Sequence, residues 1–383
     1  MAESSIMQAR EAKKRRAKVN KMLNFDYTLL FMIIFILAFG FVMLYSTSAY
    51  AATLKKNDST YYLRKQAQAA LLGFVGMAFF TKVDYHFWKN FSAILYVASL
   101  ILCVAVIFVG TTINESSRWL NIGGVSVQPS ELAKVAIILF LADVISRTTK
   151  AQESFRASMK IFIMVIPLFA VVAYNNLSTG VIIMGIAFIM VFVSSPKFMH
   201  FMALGAAGLG VIVMYISLAS YRAGRIDAWL HPEEYTSGSG FQTLQGLYAI
   251  GSGGLFGKGL GESLQKYIVP EAQNDMIFSI ICEELGVFGA VCVILMYILL
   301  LYRLLFIANH AKDLYGSFIC IGIMTHFALQ VILNIAVVTN TIPNTGVTLP
   351  LISYGGTSVV ILLSEVGLAL SVSKSMEFSG EDG

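Results

Sequence analysis

The chain has 383 residues, 57% of them apolar and only 13% charged, and its mean hydropathy is +0.74. Several apolar runs approach or exceed the roughly 20 residues that a helix needs to cross a bilayer, which excludes a soluble globule. The net charge of +5 is unevenly placed, because Arg10, Lys13, Lys14, Arg15, Arg16, Lys18 and Lys21 crowd the N-terminus. That cluster reads as a cytoplasmic tail against anionic lipid, and no nucleic-acid partner is expected.

Residues 1–26 form this basic tail. The first apolar run begins near residue 27, is too long for a cleavable signal and lacks a small-residue cleavage site. Hydropathy predicts ten spans, at 27–47, 67–83, 91–110, 131–146, 159–175, 178–195, 200–219, 275–302, 314–338 and 349–373. The expected fold is an all-α membrane protein of about ten transmembrane helices, with one polytopic domain over 27–373 and a short tail at 374–383. With the N-terminus inside, the inner segments hold nearly twice as many Lys and Arg as the outer ones, so both termini are expected in the cytoplasm. Cys103, Cys282, Cys292 and Cys320 all lie in apolar runs without metal-like spacing and read as packing residues.

Three connecting stretches stand out. Residues 111–130 are expected to form a re-entrant or interfacial loop. Residues 220–274 make the one long extracytoplasmic loop, rich in Gly and Ser, with an amphipathic piece starting at Gly240; an ordered loop of that length is more often functional than idle. Residues 340–358 hold two prolines, three glycines and no charge beside a span. Such backbone cannot be a regular lipid-facing helix, so it should be buried in protein or line a cavity, as a broken helix does.

The chemistry concentrates at 263–286. Pro270 should stiffen the approach, Asn274 is a candidate N-cap, and Asp275 would fall in the first helical turn, where the dipole favours its ionised form. Glu283 lies eight residues on, about 12 Å deeper, beside Glu284. Acids at that depth are costly in hydrocarbon, so they face a polar cavity or pair with buried cations. Glu131 and Lys134 share one helix face at i, i+3. They are either a self-neutralising pair or a cation offered to an anionic substrate with Glu131 holding it. Arg118, beside Trp119, could grip a phosphate or snorkel. Asp143 and Glu365 are further intramembrane acids, and Glu365 is expected to pair with a polar group in the bundle.

Arg118-Trp-Leu, Gln128-Pro-Ser-Glu-Leu-Ala-Lys, Ala249-Ile-Gly-Ser-Gly-Gly-Leu-Phe-Gly-Lys-Gly-Leu-Gly, Pro270-Glu with Asp275-Met-Ile-Phe, Glu283-Glu-Leu-Gly and Pro350-Leu-Ile-Ser-Tyr-Gly-Gly-Thr-Ser occur in that order. Together they resemble the SEDS family (FtsW, RodA, SpoVE), most closely its division and sporulation branch. The resemblance implies a ten-helix inner-membrane peptidoglycan glycosyltransferase that polymerises lipid II and works with a class B penicillin-binding protein transpeptidase and other divisome proteins. It also implies that Asp275 is the essential residue. Two positions depart from the family pattern: Asn176 stands where an Asp is common, and Gln273-Asn-Asp-Met replaces His-Thr-Asp-Phe, which leaves no histidine relay.

Lipid-linked sugar transfer needs an acceptor hydroxyl to lose its proton as it attacks an anomeric carbon, and one carboxylate suffices for that. The candidate catalytic residue is therefore Asp275. Candidate substrate-binding residues are Arg118, Gln128, Glu131, Lys134, Lys266, Glu271, Glu283, Ser353, Gly355 and Gly356. The pyrophosphate needs cations, from Arg118, Lys134, Lys266 or a divalent ion, magnesium or manganese, which Asp275 could help hold. A helix N-terminus would lower the pKa of Asp275 and weaken it as a base, so metal or charge positioning is a second role for it. A lipid II flippase and a non-catalytic scaffold are the alternative function classes.

Overall fold

The computed structural model describes residues 25–113, 116–122, 125–148, 155–195, 205, 210 and 220–376. The span expected at 200–219 and most of both tails lie outside these residues. In chain order come α1 (Tyr27–Lys56), α2 (Tyr61–Lys82), the single turn α3 (His86–Lys89) and α4 (Ser92–Val109). Then follow β1 (Thr111–Ile113), β2 (Ser116–Ile122) and β3 (Val125–Val127), α5 (Pro129–Thr148), α6 (Phe155–Asn175) and α7 (Leu177–Ser194). The long loop contains α8 (Ser220–Leu230) and α9 (Gly238–Gly253), and the chain closes with α10 (Ile277–Asn309), α11 (Leu314–Val338) and α12 (Gly356–Ser373).

Seven of these helices, α1, α4, α6, α7, α10, α11 and α12, are long and apolar enough to cross a bilayer. α2 and α5 have the length, at 22 and 20 residues, but carry more polar sequence. α5 manages its charge internally: Lys134 Nζ lies 2.7 Å from Glu131 Oε1, and Arg147 Nε lies 2.7 Å from Asp143 Oδ1. The chain is thus an all-α, multi-pass membrane protein. In the stretch expected to be a re-entrant or interfacial loop, the described residues form an antiparallel three-stranded meander in the order β1-β2-β3.

α1 and α10 are clamped together at two levels. At one end Arg303 Nε donates to Asp26 Oδ1 at 3.0 Å, and the Asp26 N–H donates to Ser373 Oγ. At the other, Ser46 Oγ donates to both oxygens of Glu284, at 2.6 and 2.8 Å. Along either helix the two levels are about 30 Å apart at 1.5 Å per residue, the thickness of a hydrocarbon core. Polar groups therefore sit at the two boundaries of the apolar slab.

α10 is a continuous span only in outline. At 33 residues it is about 50 Å long, and it breaks at Gly286, whose φ of 68° and ψ of −166° are not helical. The break orphans the carbonyls of Glu283 and Glu284 and the N–H groups of Val287 and Phe288, which would otherwise bond each other. The glycine-rich run after α9 supplies all four partners. Lys258 and Gly259 donate to Glu283 O and Glu284 O, each at 3.0 Å, while Val287 and Phe288 donate to Gly254 O and Leu255 O, at 2.9 and 3.0 Å. Every one of those backbone groups would otherwise be an unpaired polar group at membrane depth. The approach is so close that a Cβ on Gly257 would stand 2.1 Å from Glu284 O.

Gly257 also has a φ of +79°, so Gly257→Ala combines a steric clash with a left-handed backbone. It should destabilise the protein by about 2 kcal/mol or more. Gly251→Ala, on α9 with nothing within 4 Å, should be neutral or slightly stabilising. Thermal unfolding of the two variants in detergent compares them directly.

Candidate active site

Asp275 lies two residues before α10, in the turn that closes the long loop. It is half-buried. Gln242, from the polar side of α9, donates from Nε2 to Asp275 Oδ1 at 3.1 Å and to Pro270 O at 3.2 Å. Gln242 Oε1 in turn accepts from Asn344 Nδ2 at 3.2 Å. A Cβ built on Gly346 would have Asp275 Oδ2 as its nearest neighbour, at 3.9 Å, so the second carboxylate oxygen faces the 340s loop. Asn334 of α11 fixes the backbone by donating to both Asp275 O, at 2.7 Å, and Val347 O, at 2.8 Å.

The expected cap geometry is corrected here. α10 begins at Ile277, and its cap, Met276, makes no side-chain bond. Asn274 turns away and donates to Glu271 Oε2 at 2.7 Å. Burial, reinforced by the negative charge of Glu271, pushes the Asp275 pKa up to about 6, although bonds from Gln242 and from nearby N–H groups pull the other way. The expected depression by the helix terminus is outweighed by burial.

The uncharged 340–355 stretch is the far wall, and it is broken as expected. Tyr354 N–H donates to Gln273 O at 2.9 Å, which ties this wall to the turn that holds Asp275. Gln66 of α2 holds it from the other side, donating to Ser353 O at 3.0 Å and accepting from Gly355 N–H at 3.1 Å. Tyr62, one turn earlier on α2, meets the Tyr354 ring edge-on at 5.0 Å. The site is therefore assembled from α2, α9, α11 and two irregular segments.

Glu271 is brought beside Asp275, at the exposed mouth. Most of the other candidates are engaged with protein groups. Glu283 is fully buried and accepts from Lys258 Nζ at 2.7 Å, from Ser263 Oγ, and from the N–H groups of Leu264 and Gln265, each at 3.2 Å. Its oxygens hold the loop. Lys266 is spent on Glu284, 3.6 Å away, and on Gly261 O. Lys134 is 1% exposed and paired with Glu131, so the self-neutralising alternative fits its surroundings. Ser353 is buried, and its Oγ accepts from Leu349 N–H at 2.9 Å, closing a turn. Gly355 and Gly356 start α12 without a free donor at Gly355. Gln128 precedes α5, where its carbonyl accepts from Glu131 N–H at 3.0 Å. Arg118 lies on β2, and its side chain is outside the described part of the structure. Glu365 pairs as expected, 2.8 Å from His326 Nδ1, with both groups fully buried.

Sequence reasoning missed Gln66, Asn334 and Asn344 and gave Gln242 no role. Asn334 carried a legible signal, an amide one turn after Gln330 in a span that is mostly apolar. Among the described residues no three His, Cys, Asp or Glu side chains converge to hold a metal.

A multi-pass helical protein with a carboxylate held at one end of the bundle, beside a loop-stitched broken helix, defines the class. Residues 27–377 match the cell cycle protein model of FtsW, RodA and SpoVE, and the chain belongs to that family. It is 42% identical over 354 residues to stage V sporulation protein E of Bacillus subtilis (strain 168), covering 91% of this chain and 97% of that protein. It is 36% identical over 358 residues to a probable peptidoglycan glycosyltransferase FtsW of Geobacter sp. (strain M18), covering 92% and 98%. A chain from a solved peptidoglycan synthase complex that coordinates polymerization and crosslinking matches with a TM-score of 0.75 at 27% identity, over 91% and 97%. The crystal structure of the rod shape determining protein RodA of Thermus thermophilus matches with a TM-score of 0.68 at 26% identity, over 93% and 98%.

The Glu131–Lys134 pairing has a measurable consequence. Lys134→Met should strand a buried carboxylate and cost about 3–5 kcal/mol, whereas the double variant Glu131→Gln, Lys134→Met should recover most of that loss. Thermal unfolding of the single and double variants reads the difference, and a pair that served only substrate would leave both as stable as the parent.

Proposed function

We propose that this chain is a peptidoglycan glycosyltransferase that polymerises lipid II at the outer face of the cytoplasmic membrane, with Asp275 as the general base. The observation that carries this reading is the held carboxylate: Gln242 fixes Oδ1, Oδ2 faces the cleft wall, and the pKa is raised to about 6. A base with a pKa near the working pH is both ionised and able to take a proton. As the acceptor hydroxyl attacks, its proton passes to Asp275 and its oxygen bonds to the donor's anomeric carbon. The bond from that carbon to the pyrophosphate breaks, and undecaprenyl pyrophosphate leaves with the electron pair. Attack from the opposite face inverts the configuration.

The leaving group needs positive charge, and two of the three cations considered from the sequence are engaged elsewhere. Arg64 and Lys65, within one turn of Tyr62, therefore join Arg118, the remaining cation of the sequence reading, as candidates to meet it. Arg64 already holds Asp58, an exposed pair that a diphosphate can outcompete. A divalent cation, if bound, would rest on Asp275 and the substrate's own phosphates. The partners that fit are a class B penicillin-binding protein transpeptidase and other divisome proteins, in a division or sporulation setting.

Asp275→Asn should fold, insert and bind its partner yet lose at least about 100-fold in polymerisation of lipid II by the reconstituted pair. Full activity of that variant would overturn the catalytic role, and headgroup translocation without polymer would favour a flippase. In the parent, activity should fall as the pH drops through about 6, because the base is lost on protonation. Gln242→Ala removes a bond that favours the ionised carboxylate, so the acidic limb of its profile should move to higher pH. Orientation is tested by labelling: cysteines at the exposed positions Glu233 and Glu262 should react with an impermeant maleimide added outside, and one at Arg156 should not.

A further inference from the structure

The glycine-rich run that repairs the α10 break exposes an unusual amount of apolar surface for a loop. Leu255 is 69% exposed, Phe256 80%, Leu260 54% and Leu264 63%, and Tyr267 and Ile268 are also open. We propose that the segment from Leu255 to Ile268 is seated in the leaflet nearest Asp275, with these side chains against phospholipid acyl chains. This interaction surface does not rest on the catalytic reading.

Four observations place lipid there. The patch is continuous with exposed apolar faces of two spanning helices: Phe256 meets Phe288 of α10 at 6.4 Å between ring centroids, and Tyr267 meets Tyr50 of α1 at 4.7 Å. The level is right, because the loop pairs with residues 283–288, next to the Ser46–Glu284 clamp. That clamp lies about 30 Å along α1 from the Asp26–Arg303 clamp, one hydrocarbon thickness away. The backbone is fit for the environment, since the groups facing the break are bonded to it. The cations are also neutralised, Lys258 by Glu283 and Lys266 by Glu284. Glu262 is exposed and sets the depth: the loop lies where a carboxylate still reaches the headgroups.

The test places a photoreactive benzoyl-phenylalanine at Phe256 or Leu260 in the full chain. Each variant is examined in native membranes and in proteoliposomes of phosphatidylethanolamine and phosphatidylglycerol. Phe31, 68% exposed on the spanning face of α1, gives the reference yield of lipid adduct. Mass spectrometry should find phospholipid adducts at 256 and 260 in both settings, with yields within about threefold of that at 31. Adducts to another protein in native membranes in place of lipid would overturn the proposal in favour of a protein interface. The absence of adducts at 256 and 260, with lipid adducts at 31, would place the loop in water and overturn it as well.

Discussion

Everything at the Asp275 end of this molecule depends on four backbone hydrogen bonds made across the break in α10. A helix interrupted at Gly286 loses the bonds from Val287 and Phe288 to Glu283 and Glu284, and each unpaired group would cost kilocalories where water is scarce. The run from Gly254 to Gly259 replaces them one for one. In doing so it fixes α9 against α10, and α9 carries Gln242 to Asp275. Where the helix is broken a loop is locked to it, and the helix before that loop brings Gln242 to the Asp275 carboxylate.

The acids of this region divide by what surrounds them. Glu283 is saturated by protein donors and Glu284 by Ser46 and Lys266, so both act as anchors. Asp275 has one oxygen held by Gln242 and the other facing the 340s loop, with the carboxylate of Glu271 nearby. The same side-chain chemistry thus gives a saturated fastener in one place and a carboxylate with few donors in another. The difference lies in the number of donors each can reach.

The spans were legible because hydropathy is decided locally: Leu314–Val338 coincides with its expected limits, and the helix limits near the other expected spans differ mainly where polar ends extend them. The broken stretch after Asn340 was legible too, since two prolines and no charge exclude a lipid-facing helix. The roles of Glu283 and Lys266 were not. Their partners, Lys258 and Glu284, stand 25 and 18 residues away, and spacing alone does not say whether an ion faces a neighbour or a ligand. The pKa of Asp275 was misjudged for a similar reason. The helix dipole is a local inference, whereas burial beneath the 340s loop and the field of Glu271 are tertiary.

α5 also bears on how the protein is made. Its Glu131 and Lys134 lie within electrostatic reach of His326 on α11 and of Glu365 on α12, elements synthesised almost 200 residues later. As α5 leaves the ribosome it therefore meets the insertion machinery as a polar segment whose neighbours do not yet exist. Its two ion pairs, Glu131 with Lys134 and Asp143 with Arg147, travel with it, so the helix brings its own counter-charges into the bilayer and His326 and Glu365 meet an already neutralised segment.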